Sequence, residues 1–144
     1  MKTELAGRTK EFSIRIVRLI RTFPKTVDGI ELGRQLLRSG TSIGANYREA
    51  NRAESKLDFH KVGIAEKEAS ETAYWLEICE AASLGNAEEI RGLLKESREI
   101  LAIVTTIGRK SKGRNPRIAN TVVTTVVLAA SLFPLSRLSL SAFL

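Results

Sequence analysis

Ser39-Gly40-Thr41-Ser42-Ile43-Gly44-Ala45-Asn46 crowds small side chains into about two helical turns, inside a longer segment, residues 31–77, that ends in Tyr74-Trp75-Leu76. A helix through Gly33, Gly40 and Gly44 gives up about 1 kcal/mol per glycine relative to alanine, so it needs a tertiary contact in return. The following segment carries Gly63, Ala65, Ala69, Ser70 and Ala73, which predicts small residues packed on small residues between the second and third helices. Asp28 with Glu31 three residues later reads as a capping box and opens helix two at residue 29 or 30, with its end near residue 52.

Outward from that segment, apolar spacing supplies the remaining helices. Phe12, Ile16, Leu19, Ile20 and Phe23 share a stripe, and Pro24 stops the run, predicting helix one over residues 9–23. Ser55 with Asp58 predicts the start of helix three, residues 56–84, and Gly85 its end. Asn86 with Glu89 caps helix four, residues 87–108, which places Ile90, Leu93, Leu94, Ser97, Leu101, Val104 and Ile107 near heptad spacing. Short turns between consecutive helices make neighbours antiparallel. The expected fold is all-α, an antiparallel up-down four-helix bundle over residues 1–108, followed by a basic linker, 109–117, and an irregular apolar tail, 118–144.

The tail changes character. It carries the β-branched run of residues 121–127 and then Pro134 and Arg137. Its longest uninterrupted apolar part, residues 118–133, contains Asn120 and several threonines and falls short of the ~20 apolar residues a spanning helix needs. The expectation is a poorly ordered appendage, dispensable for folding, with no membrane partner.

With 144 residues, 43% of them apolar, the chain suits one core. A lone cysteine, Cys79, excludes an intrachain disulfide, no Asn-x-Ser/Thr acceptor occurs, and the N-terminus lacks an apolar signal core, so a cytoplasmic location is expected. The net charge of +7 is unevenly spread: residues 1–56 hold 12 Lys/Arg against 6 Asp/Glu, residues 57–108 hold 5 against 10, and residues 109–144 hold 6 against none. Such blocks attract a polyanion or pair with one another.

The arginines are the main functional candidates. Arg34, Arg38, Arg48 and Arg52 share one stripe of helix two, because 14 residues return a helix to within about 40° of the same direction. Arg15 and Arg18 add a patch on helix one, and Arg109, Lys110, Lys112 and Arg114 a basic arm. The competing expectation pairs them internally with Glu31, Glu49, Glu66, Glu68, Glu71, Glu77 and Glu80.

Catalysis has little support. His60 is the sole histidine, so no two-histidine metal site exists, and no metal or other cofactor is expected. Arg52 and His60 are separated by seven residues, too many for the Arg-x(4 to 6)-His motif of helical ribonucleases. Cys79 has no nearby histidine as a base and sits in an apolar stretch, as a buried structural thiol does. The stretch from Gly40 to Gly44 lacks the Gly-Lys-Ser/Thr ending of a phosphate loop. Trp75 reads as a subunit-interface residue.

Residue by residue, Arg34-Gln35-Leu36-Leu37-Arg38-Ser39, Ser42-Ile43-Gly44-Ala45-Asn46 with Glu49-Ala50, Phe59, Ile64-Ala65, Glu68 with Glu71, and Trp75-Leu76 resemble the bacterial four helix bundle protein family over residues 12–108. That family includes proteins encoded in large-subunit rRNA intervening sequences and retroelement accessory variability determinants. The resemblance implies an antiparallel bundle and, since some members form homopentameric rings, a homo-oligomer. It also implies a nucleic-acid partner, RNA or DNA, with ribosomal RNA or a reverse transcriptase as the setting. Tyr47-Arg48 departs from the usual aliphatic-Ala pair and adds charge to helix two. The expected function is therefore a non-enzymatic nucleic-acid-binding scaffold or accessory protein. Its rivals are a self-assembling bundle without nucleic-acid affinity and a diverged helical ribonuclease.

Overall fold

A computed structural model describes residues 2–52 and 58–112. Among the described residues there are four helices and no strands: α1 (Lys2–Ile20), α2 (Val27–Ala50), α3 (Phe59–Ala81) and α4 (Ala87–Lys112). The expectations placed on Ser55, Arg114 and residues 118–144 lie outside the described residues.

Side-chain links fix the topology. Gly33, Gly40 and Gly44 of α2 approach Ile20, Ile16 and Thr9 of α1, a register that runs backwards. Arg38 meets Glu71 while Glu49 meets Lys61, so α2 and α3 are antiparallel. Ser97 donates to the carbonyl of Ala69 at 3.0 Å and Arg91 lies 3.8 Å from Glu80, which reverses α4 against α3. Arg8 joins Glu96, and Arg15 joins Glu89, closing α4 back onto α1. The result is the expected antiparallel four-helix bundle. Its core contains Phe12, Ile16, Leu36, Ile43, Leu76, Ile90, Leu93 and Val104, all essentially inaccessible. Each such side chain contributes about 1.5–3 kcal/mol of burial.

The glycines of α2 find a different partner from the one the sequence suggests. A Cβ on Gly40 would come within 3.0 Å of Ile16, and one on Gly44 within 3.2 Å of Thr9, so the close approach is to α1. On α3, Ala65, Ala69 and Ala73 face the core, whereas a Cβ on Gly63 would meet nothing within 4 Å. The small residues of the third helix therefore line the bundle interior.

Helix boundaries also differ from the sequence expectation. α1 begins seven residues early because Leu5 and Thr9 continue its buried stripe. Thr26, not Asp28, caps α2: its hydroxyl oxygen accepts from the Gly29 amide at 3.4 Å. Asp28 sits within the first turn, and hydrogen bonds from the Thr26 side chain and from backbone amides hold its carboxyl below the usual range. α3 starts at Phe59 behind the cap Asp58, whose carboxylate accepts from the amides of His60 and Lys61 at 3.0 and 3.2 Å. It ends at Ala81, where the Leu84 amide reaches back to Cys79 and the Ser83 amide to Glu80 around Ser83 at φ +54°. This is a Schellman stop with serine where glycine is commoner. Gly85, at φ +79°, turns the chain beside Phe23. Asn86 caps α4 as expected, accepting from the Glu89 amide at 2.9 Å. α4 then buries Ile90, Leu93, Ser97, Ile100 and Val104 in strict heptad steps, with Ile100 inside and Leu101 only half-buried. It runs on to Lys112, so Arg109 and Lys110 are helical.

Candidate nucleic-acid interface

The arginines divide into those tied to the bundle and those facing outward. Arg15 on α1 donates through Nε to Glu89 Oε1 at 3.0 Å, spanning the seam with α4. Arg38 on α2 donates to Glu71 Oε1, which also accepts the indole N–H of Trp75 at 3.2 Å. These two guanidiniums are structural partners. Trp75 is correspondingly half-buried against the core, leaving Tyr74 as the exposed ring of the pair.

The remaining candidates face solvent. Arg18 lies 3.8 Å from Glu11 and Arg34 3.5 Å from Glu31, loose pairs in which both arginine side chains are more than two-thirds exposed. Exposed pairs of that kind are worth ~0–1 kcal/mol and release their cation readily to a stronger anion. Arg48 and Arg52 are exposed and form no ion pair among the described residues. Arg109 and Lys110 lie exposed on the last turns of α4, where the helix dipole favours cations. Lys112 belongs to the same helix, and Arg114 lies outside the described residues. Of the four arginines expected on α2, Arg34 and Arg48 are exposed on the helix, Arg38 is committed to α3, and Arg52 lies in the turn just past Ala50.

The acidic helix accounts for the missing partners. Besides Glu71, Glu77 pairs with Arg98 at 2.8 Å, and Glu66 accepts from the Thr105 hydroxyl at 2.8 Å. Most α3 carboxylates are therefore met from α4, whose own bases lie beside them. Glu68 keeps one buried oxygen with no hydrogen-bond partner. The internal pairing expected from the sequence holds for Arg38 with Glu71 and, loosely, for Arg34 with Glu31, while Arg15 finds Glu89, a partner outside the expected set.

Sequence reading missed two basic residues. Lys10 shares with Arg48 the rim of a groove between α1 and α2. Its signal was local: it precedes Ile14 by one turn on a stripe beside the core stripe. Arg8 forks onto Glu96, at 2.5 and 2.9 Å, and onto Glu99. Those hydrogen bonds hold the Arg8 guanidinium firmly charged, and Arg8 in turn holds the Glu96 carboxyl below its usual range. A pairing across 88 residues has no local signature.

The candidates for chemistry are placed otherwise. His60 is exposed at the start of α3. Cys79 is fully buried, and burial pushes its thiol up to about 11, away from the reactive thiolate. No group of three metal-ligating side chains occurs among the described residues. No described helix is long and apolar enough to cross a membrane.

Comparison with known proteins agrees with this architecture. The family model of the 23S rRNA-intervening sequence protein matches residues 1–106. The chain belongs to that family. A crystal structure of a protein of unknown function, from the S23 ribosomal protein family of Bacteroides thetaiotaomicron, superposes with a TM-score of 0.62 at 37% identity. The alignment covers 72% of this chain and 97% of that one. No curated protein matches the chain. This 23S rRNA-intervening sequence protein carries exposed arginines on a bundle tied by internal ion pairs.

Proposed function

We propose that this protein is a non-enzymatic nucleic-acid-binding scaffold that acts as a homo-oligomer. The observation that carries the proposal is the set of cations on the outer faces of α1 and α2: Arg18 and Arg34 in loose pairs, Arg48 and Arg52 in none among the described residues. Guanidiniums spaced along a helix face suit the phosphates of a backbone, and no aromatic residue stands among them to stack on bases. Contact is therefore with phosphate and carries little sequence preference. The family's description, 23S rRNA-intervening sequence protein, makes RNA the first polyanion to test. Arg109 and Lys110 extend the basic surface at the end of α4.

Affinity for a single-stranded RNA should fall linearly with log salt, by about 0.7 per phosphate neutralised. Arg34→Glu with Arg52→Glu should weaken binding at least tenfold and flatten that slope, with helicity unchanged. Arg38→Gln should instead lower the melting temperature, because Arg38 holds Glu71. Binding that survives the double reversal at full slope would overturn the assignment to α2. The rival, a bundle that assembles without nucleic acid, draws on the Arg15–Glu89 and Arg38–Glu71 pairs and predicts no salt-dependent binding at all.

A further inference from the structure

The outer side of the α1/α2 seam has no role in holding the bundle. Lys10, Ile14 and Val17 make one stripe of α1, and Arg21 continues it, since its amide still reaches the Val17 carbonyl at 3.4 Å. Ile30, Arg34, Leu37, Thr41, Ala45 and Arg48 make the facing stripe of α2. The antiparallel register, with Gly33 at Ile20 and Gly44 at Thr9, sets Arg21 and Arg34 toward one end of the seam and Lys10 and Arg48 toward the other. Between those ends Ile14, Val17 and Ala45 floor a groove that no acidic residue lines. Leu37, 40% exposed, and Ile30, 52% exposed, extend its apolar surface along α2. Lys10, Arg21 and Arg48 form no ion pair among the described residues, and Arg34 makes only its loose contact with Glu31.

A phosphate backbone would meet the cations at the two ends and leave Ile14, Val17 and Leu37 in water. An amphipathic helix with acidic flanks satisfies both parts of the surface. We propose that the α1/α2 groove docks an acidic amphipathic helix of another protein. Its apolar stripe covers Ile14, Val17, Leu37 and Ala45, and its carboxylates meet Arg21 and Arg34 at one end and Lys10 and Arg48 at the other. From Lys10 to Arg21 the α1 stripe is about 16 Å long at 1.5 Å per residue, so the partner's acidic residues stand about three turns apart. A second copy of this chain does not supply that charge, because the carboxylates of its acidic helix, α3, are met internally by Arg38, Arg98 and Thr105. The apolar floor supplies affinity, and the bracketing cations choose the partner by repelling basic helices. Arg34 and Arg48 also belong to the surface assigned to RNA, so a seated helix and a phosphate backbone exclude one another there.

The probe is a fluorescently labelled synthetic peptide of about 18 residues, ~27 Å as a helix, titrated with the full chain. It carries leucines at i, i+3, i+4 and i+7 spacing and glutamates in its first and last turns. A peptide of the same composition with the leucines scrambled off the stripe, and one with lysine for every glutamate, should each bind at least tenfold more weakly. Val17→Ser with Leu37→Ser removes the floor and keeps every cation. This pair should weaken the peptide at least tenfold and leave affinity for a single-stranded RNA within about twofold. Should the pair lower helicity, Ala45→Glu, at an exposed position, takes its place and should abolish peptide binding. No binding of the designed peptide would overturn the proposal. Equal binding of the scrambled peptide, or an equal loss of RNA affinity in the serine pair, would overturn it in favour of a polyanion as the occupant. A wild-type oligomer that Ala45→Glu reduces to a monomer in light scattering would make a second copy the occupant and overturn it too. A chain that binds the peptide and no RNA would keep this site and overturn only the RNA reading.

Discussion

Along α1, the seam with α2 is made of backbone and small side chains, whereas the seam with α4 is held by ionic side chains. On the α2 side, Gly33, Gly40 and Gly44 let Ile20, Ile16 and Thr9 come within van der Waals contact of another helix's main chain. On the α4 side, Arg8 reaches Glu96 and Glu99, and Arg15 reaches Glu89. The first seam depends on the absence of atoms and the second on their presence. They should therefore fail under different perturbations, the first under added volume and the second under lost charge.

Added volume should have the largest effect. In Gly40→Leu the new side chain must enter the space of Ile16, whose atoms already lie 3.0 Å from a bare Cβ. Overpacking of this kind costs ~3 kcal/mol. Gly63→Ala is the matched control, since its Cβ meets nothing within 4 Å and helix propensity favours alanine by up to about 1 kcal/mol. Thermal melts of the two variants should move in opposite directions. A Gly40→Leu protein as stable as the wild type would show that the α1/α2 seam is not closely packed.

Lost charge comes next. Arg8→Ala removes the fork onto Glu96 and Glu99 and should cost about 1 kcal/mol, the upper end for partly exposed ion pairs. Glu96 also supplies a pH signature. Its folded pKa is held below the unfolded value of about 4.3, chiefly by the hydrogen bond from Arg8. Its stabilisation is thus fully present above that pH and is lost as pH falls through the folded pKa. Acid titration of stability should show this component in the wild type and lack it in Glu96→Gln. An acid limb identical in the two proteins would remove the clasp from the account of the seam.

The same contrast explains what was legible in the sequence. Helix number and turn position follow from local signals: Pro24 after Phe23, Asn86 three residues before Glu89, and apolar residues at helical spacing. The partner of the α2 glycines does not, because Gly40 is equally free to approach α1 or α3 until the bundle's handedness and register are set. Ion pairing is hidden for the same reason. Arg34 and Arg38 look alike in sequence, yet Arg38 meets a carboxylate on α3 and Arg34 only its own helix's Glu31. The early start of α1 escaped because Gly7 and the charged residues around it mask the stripe that Leu5 and Thr9 continue into the core. Ser83 escaped because a serine in the left-handed region has no sequence mark, and Gly85 two residues later offered the more obvious stop.

The smallest effect separates the seams most finely. Ser13 spans α1 and α2, its hydroxyl donating to the carbonyl of Thr9 at 2.9 Å and to that of Gly40 at 3.2 Å. Both carbonyls lie in helix interiors and already accept backbone hydrogen bonds, so removing the hydroxyl leaves no buried group unsatisfied. Ser13→Ala also improves helix propensity by a few tenths of a kcal/mol. If close backbone approach holds this seam, the substitution should change stability by less than ~0.5 kcal/mol in chemical denaturation, well under the cost of Arg8→Ala. A loss equal to or greater than that of Arg8→Ala would mean that α1 is held to α2, as it is to α4, by polar side chains, and the difference between the two seams would vanish.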